Sequence, residues 1–194
     1  MSAVVLVHAV LGSATITLSS PTIGVFLPIA LFHLLDFSIA ALAEELQDRG
    51  YVLRVIAEHH PRFAVLFTSA MFSVTHLGAA WLTPIALVNA FLMGCVLAVV
   101  FLKTRSLWAT WGLHFGLNAF EEVVFQLPVK GYEDMAGHLF SYEFHAADWI
   151  TGGAAGVVGS VVFTAAIITM MTVILWRWRP DKAMHLTSRD VTCK

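Results

Sequence analysis

Charge is what this sequence has least of. Only 12% of its 194 residues are Asp, Glu, Lys or Arg, against about 25% in soluble domains. Thirteen acidic and eleven basic residues leave a net charge of −2, so no basic surface for nucleic acid is expected. Cysteine is scarce too. Cys95 lies in an apolar run and Cys193 in the tail, which excludes a disulfide framework. No Lys or Arg precedes the first apolar run, so no cleaved signal peptide is expected. No His-Glu-x-x-His pair and no evident internal repeat occurs.

What is abundant is apolar. The residues AVILMFWYC make up 58% of the chain, and mean hydropathy is +0.79; soluble domains reach only about 45–50% even with glycine counted. That is the composition of an integral membrane protein. Cut at charges, prolines and glycines, the apolar runs give candidate spans at 3–18, 22–45, 63–79, 84–102, 107–126 and 152–176. A spanning helix takes about 17–25 residues, so the first and third are short. The runs are continuous rather than alternating over ten residues, which favours helices over a barrel. The expected fold is all-α, a polytopic transmembrane bundle of about six spans forming one integral membrane domain over 1–194. As one straight helix, 22–57 would be about 54 Å long at 1.5 Å per residue. A bend or break is therefore expected near Arg49-Gly50, with 51–58 continuing as a short interfacial helix. Pro61, Pro84, Pro128 and Pro180 fall near expected helix ends.

Six spans put both termini on one side. That side receives Arg49, Arg54, Arg62, Lys103, Arg105 and the basic tail from Arg177 to Lys194, ten of the eleven basic residues. The opposite side keeps only Lys130. The basic side, with both termini, is expected to be cytoplasmic, and the loop 127–151 to face outward.

Polar groups inside apolar helices are costly and often mark a site. Glu44 and Glu45 close a long apolar run. Glu45 and Arg49, at i and i+4, can pair, which leaves Glu44 without that partner; a solvated helix end is the plainer alternative. His33 lies three turns back on nearly the same face as Glu44. His76 closes Phe72-Ser73-Val74-Thr75-His76, where a histidine can also simply bond a carbonyl between helices. If the chain reverses near His60, Glu44 and His76 are equally far from the turn and reach one depth. His114 and Asn118 share one face at i and i+4, with Glu121 on the same side. Counted from the 103–106 turn, they lie about 14 and 20 Å deep at 1.5 Å per residue. Gly112 and Gly116 form a small-xxx-small pair that permits close helix approach.

A carboxylate, two imidazoles and a carboxamide suit hydrolysis. Glutamate serves as general base for a water and a histidine positions it and protonates a leaving amine, while a second histidine and an asparagine donate to an oxyanion. Ser73 lacks any elbow motif, which argues against a serine nucleophile. Two histidines and a carboxylate would also suit zinc, but asparagine is a poor ligand and no cofactor is expected.

The residues at this point resemble a known family, the CAAX-protease and bacteriocin-processing (CPBP, also called Abi) intramembrane endopeptidases. Its Glu-Glu-x-x-x-Arg motif is matched by Glu44-Glu45-Leu46-Gln47-Asp48-Arg49, its Phe-x-x-x-His motif by Phe72 to His76, and its His-x-x-x-Asn motif by His114 to Asn118. The run Leu102 to Trp108 resembles the family's turn before the third motif. The resemblance covers about 36–126, which would be the catalytic core, followed by the loop 127–151 and a last span 152–176. It implies Glu44 as the water-activating base, His76 as its partner in proton transfer, and His114 with Asn118 as the oxyanion-stabilising pair. Glu45 with Arg49 would hold the first motif. His33 and Glu121 are candidates for supporting roles, against ordinary packing and helix-end readings. The implied partners are the bilayer and a lipidated or membrane-embedded protein substrate, in a bacterial cell membrane. Two other readings stay open: a non-catalytic binding, immunity or scaffold protein that retains the site, and a small transporter, which the lack of inverted repeats disfavours. His138, His145 and Trp149 lie outside the motifs, in a loop read as a solvated connection or a substrate gate.

Overall fold

The structure is a computed structural model that describes residues 1–18, 23–79, 82–125, 127 and 139–178. Its first apolar run does not make a span. Helix α1 (Ser2–Val10) has nine residues, about 14 Å at 1.5 Å each, where a bilayer core needs about 30 Å. The chain then turns through Gly12 at φ +63° into strand β1 (Ala14–Leu18). Thr15, Ile16 and Thr17 are β-branched, which suits a strand. Strand β2 (Phe140–Phe144) pairs with β1 antiparallel, Ala14 opposite Phe144 and Leu18 opposite Phe140. Alternation in Phe140, Tyr142 and Phe144 turns one aromatic face inward and leaves Ser141 and Glu143 exposed. Burial raises the Tyr142 phenol above its ordinary value, and its hydroxyl donates to the Phe125 carbonyl. His8 is buried, its Nδ1 2.9 Å from Ser13 Oγ, and burial holds its imidazole below the usual value.

This ribbon changes two expectations. The span over 3–18 is a short helix and a strand, because its Thr-rich end finds a partner far along the chain. The loop 127–151 is not all solvated connection, since it supplies β2 and the short helix α7 (Asp148–Thr151). Strand β1 pairs with β2, within the segment expected to face outward. His145 Nε2 is 2.8 Å from Thr15 Oγ1. Lys130, Pro128, His138, Pro180 and the tail beyond Trp178, with Arg179, Lys182, Arg189, Cys193 and Lys194, lie outside the described residues.

The rest is a helical bundle. Helix α2 (Ile23–Glu45) passes without interruption into a π-helical stretch, Leu46–Leu53, and then α3 (Arg54–Ala57). The chain thus stays helical through Arg49-Gly50, in a π-helical stretch rather than a break. Helix α4 (Pro61–Thr75) and α5 (Pro84–Thr104) each start on a proline, which has no N–H to leave unpaired in a first turn. Thr83 caps α5 by accepting from Ala86 N at 3.1 Å. Ser106 caps α6 (Leu107–Ala119), accepting from Ala109 N at 3.3 Å, and a π turn, Phe120–Val124, extends it. A 3-10 stretch, Gly153–Gly159, precedes α8 (Val161–Arg177), capped by Ser160. Among the described residues three helical segments are long and apolar enough to cross a membrane: Ile23–Ala57, Pro84–Thr104 and Gly153–Arg177. The fold is therefore a multi-helix bundle of polytopic membrane type with a small two-stranded ribbon.

Helices α4 and α5 pack closest. A Cβ on Gly94 would stand 2.9 Å from Ser69 Cα, so only glycine permits this approach. Phe72, Met93, Val96, Leu97, Phe163 and Ile167 fill the adjoining core with Val4 and Val5 of α1. Asn89 of α5 donates to the carbonyls of Val158 and Ser160 at 2.7 and 3.1 Å and accepts from Thr164 at 2.7 Å. It thereby ties α5 to the turn that leads into α8. Gly112 and Gly116 behave otherwise than expected: a Cβ on either would meet nothing within 4 Å. The glycine face of α6 is open among the described residues, because α6 meets α2 through Trp111 and His114, whose indole Nε1 donates to Ser38 O in the first case.

Candidate active site

Three helices converge on one cavity of about 360 Å³, and Glu44, His76, His114, Asn118 and Glu121 all line it. Glu44 ends α2, His76 terminates α4 as its C-cap, and His114 and Asn118 face inward one turn apart on α6. The antiparallel course of α2 and α6 sets the register: Leu107 lies beside Gly50, and His114 beside Glu45.

Beneath the cavity lies a buried charge network. Glu45, Asp48 and Arg49 share the inward face, at i, i+3 and i+4, and none is more than 3% exposed. Arg49 Nη1 is 3.1 Å from Glu45 Oε1 and 3.4 Å from Asp48 Oδ2. Its Nη2 donates to the Gly94 carbonyl at 3.3 Å. The guanidinium carbon sits 4.9 Å from the centre of the Phe72 ring, a cation–π contact. These partners compensate the buried charge, while Arg49 Nε, Glu45 Oε2 and Asp48 Oδ1 have no hydrogen bond among the described residues.

Glu45 Oε1 also lies 2.9 Å from His114 Nδ1. A carboxylate only accepts, so Nδ1 carries a proton and Nε2 is turned toward Glu44, 3.9 Å from its Oε2. The two adjacent glutamates differ in setting: the Glu45 side chain is 0% exposed and that of Glu44 42%. Glu44 Oε2 itself is shielded and has no hydrogen bond among the described residues. At His76, Nδ1 lies 2.7 Å from the Phe72 carbonyl. It therefore donates, and the neutral ring carries its lone pair on Nε2.

Phe72 is the residue that sequence reasoning left without a role of its own. Its ring lies 5.0 Å from that of His76 and 5.4 Å, edge to face, from that of His114, besides its contact with Arg49. The spacing Phe-x-x-x-His places a carbonyl one turn before the imidazole it orients. Asp48 was also missed, although its place beside Arg49 was a signal. Asp36, Asn89 and Glu122 line the cavity as well; nothing in their spacing marked them. Glu121 is 7% exposed and its Oε1 has no partner among the described residues. His33 is not brought to the cavity. It packs against Phe32 and Phe37, rings 5.4 and 5.7 Å away. Among the described residues no group of three or more His, Cys, Asp or Glu is arranged to hold a metal ion.

Residues 24–120 match the family model described as type II CAAX prenyl endopeptidase Rce1-like. No curated protein and no solved structure matches the chain. The match covers half of the sequence and takes in every cavity residue from Glu44 to Asn118 that the three motifs supply, and the chain belongs to this Rce1-like CAAX endopeptidase family.

Proposed function

We propose that the chain is an intramembrane endopeptidase that cleaves a peptide bond in a lipidated or membrane-embedded protein by glutamate-activated water. The observation that carries this reading is the meeting of Glu44, His76, His114 and Asn118, from three helices, on one cavity within an apolar bundle. Glu44 takes a proton from water, whose oxygen attacks the carbonyl carbon of the scissile bond. The resulting oxyanion accepts from the Asn118 carboxamide and from Nε2–H of His114 in its doubly protonated form, the ring being held through Nδ1–H by Glu45. His76 positions the water, and its Nε2 accepts the proton that Glu44 has taken and passes it to the departing amine as the C–N bond breaks. The products are a carboxylate and an amine, with the elements of water divided between them. Each group is in reach of the cavity and none needs a metal.

In this reading 1–194 is one integral membrane domain whose catalytic core runs over about 36–126. The shorter helices α4 and α6 accompany the three long ones in the bilayer. The end bearing Arg54, Lys103 and Arg105 faces the cytoplasm of a bacterial cell, and the β1–β2 ribbon lies on the other side. Comparing membranes that carry the wild type with those carrying Glu44→Gln, by mass spectrometry of peptide ends, tests the function. A fragment or new C-terminus that depends on Glu44 supports it. Equal biological activity of the folded variant would overturn it in favour of a binding, immunity or scaffold protein that retains the site.

A further inference from the structure

A second pocket, of about 410 Å³, opens at the basic end of the bundle and shares no residue with the cavity above. Tyr51, Arg54 and Arg105 supply its polar lining, and Leu46, Phe101 and Leu107 an apolar one. We propose that it binds the phosphate headgroup of an anionic membrane lipid.

Charge is the first argument. Arg54 comes from the start of α3 and Arg105 from the turn between α5 and α6, so two elements far apart in sequence each bring an arginine to the lining of one hollow. Among the described residues neither has a carboxylate within ion-pair distance. Two planar forks and a phenol hydroxyl match the oxygens of a phosphodiester, which arginine takes in paired hydrogen bonds.

The backbone gives the second. Arg105 has φ +54° and ψ +23°, the only positive φ on a residue other than glycine among those described. A helix ends in this left-handed conformation most cheaply on glycine, which has no Cβ to crowd the carbonyl. Here the position carries a long cationic side chain instead, and that side chain lines the pocket.

Depth decides between a lipid and a free anion. Lys103 Nζ donates to the Trp178 carbonyl at 2.6 Å, so the turn after α5 and the end of α8 share one level. Tyr51, Trp108 and Trp176 are 70%, 67% and 61% exposed there. Amphipathic rings of this kind collect where hydrocarbon meets headgroups, and basic pockets between helices on that side hold lipid phosphates. The apolar wall of Leu46, Phe101 and Leu107 receives the glycerol and first acyl carbons, which inorganic phosphate lacks.

Native mass spectrometry of the full chain, released from micelles holding equal phosphatidylglycerol and phosphatidylcholine, reads the preference. The wild type is expected to retain one phosphatidylglycerol about tenfold over phosphatidylcholine, from two cations at the headgroup level. Arg54→Gln and Arg105→Gly are each expected to cut that preference several-fold. Arg62→Gln, outside the pocket, leaves it unchanged. Arg105→Gly also relieves the left-handed backbone, so its loss of lipid is read in a protein that folds at least as well. Equal retention of the two lipids by the wild type overturns the proposal, as does wild-type preference in both pocket variants. Displacement of the lipid by millimolar inorganic phosphate would assign the pocket to phosphate alone and overturn the lipid.

Discussion

Glu45 Oε1 stands 2.9 Å from His114 Nδ1 and 3.1 Å from Arg49 Nη1, so one carboxylate oxygen serves a histidine that faces the cavity and an arginine that never does. The carboxylate next to it in sequence, Glu44, meets the same ring only on its other nitrogen, 3.9 Å from Nε2, and opens onto the cavity. The adjacent pair thus divides the work between holding and reacting, and the two variants should separate cleanly.

Glu44→Gln should abolish turnover while shifting stability by less than about 0.5 kcal/mol, as for a substitution outside the buried network. Glu45→Gln should lower the melting temperature and reduce turnover only in part, since Arg49 keeps Asp48 and Gly94. Thermal melts in detergent together with activity on membrane extracts read both. Equal thermal loss in the two variants would contradict the division.

Arg49→Ala should destabilise by about 3–5 kcal/mol, because it strands Glu45 and Asp48 as buried charges. Arg49→Lys should recover little, since an ammonium cannot reach a carboxylate and the Gly94 carbonyl with two separate N–H groups in one plane. A lysine variant with the wild-type melting temperature would show that charge alone suffices there.

Gly94→Ala should cost about 1–3 kcal/mol through overpacking, since its Cβ would fall 2.9 Å from the Ser69 backbone. Separation of α4 from α5 also moves the carbonyl that Arg49 uses, so activity should fall with stability. Circular dichroism melts alongside turnover test this. A variant as stable as the wild type would mean that α4 can move aside without cost.

Acid should loosen the N-terminal ribbon. His8 binds fewer protons folded than unfolded, because burial lowers its value from 6.5. Stability is therefore complete above about pH 6.5 and declines as pH falls below it, levelling off once the folded imidazole is also protonated. Hydrogen exchange of the β1 and β2 amides at pH 7.5 and pH 5 measures the effect, which His8→Leu should remove. Identical protection at the two pH values would rule out this role for His8.

Local pattern carried the parts of this molecule that are local. The pairing of Glu45 with Arg49 and the common face of His114 and Asn118 follow from i,i+4 spacing alone. The proline starts of α4 and α5 were equally plain. What spacing could not show depends on partners brought from afar. An apolar run ending in Ala-Thr-Ile-Thr-Leu reads as hydrophobic span until β2 is known to meet it. The helix continues through Gly50 because its hydrogen bonds shift to a π pattern, which leaves no compositional trace. Phe72 was visible as a motif letter, but its contacts with Arg49, His76 and His114 come from three helices. Gly112 and Gly116 predict close packing by type, yet type does not say which face of α6 its neighbours choose.

The register of the ribbon sets a clock on assembly. Ala14 has to wait for Phe144, and at about 5–20 residues per second the ribosome takes roughly 6–26 s to supply it. During that interval α2 through α6 can enter the bilayer and settle against one another, while the β1 backbone stays without its strand partner. The ribbon is then a late closure that ties the earliest segment to helices α2 through α6, with α8 still to follow. A chain truncated before 140 loses α8 together with β2 and should leave the first eighteen residues open to protease.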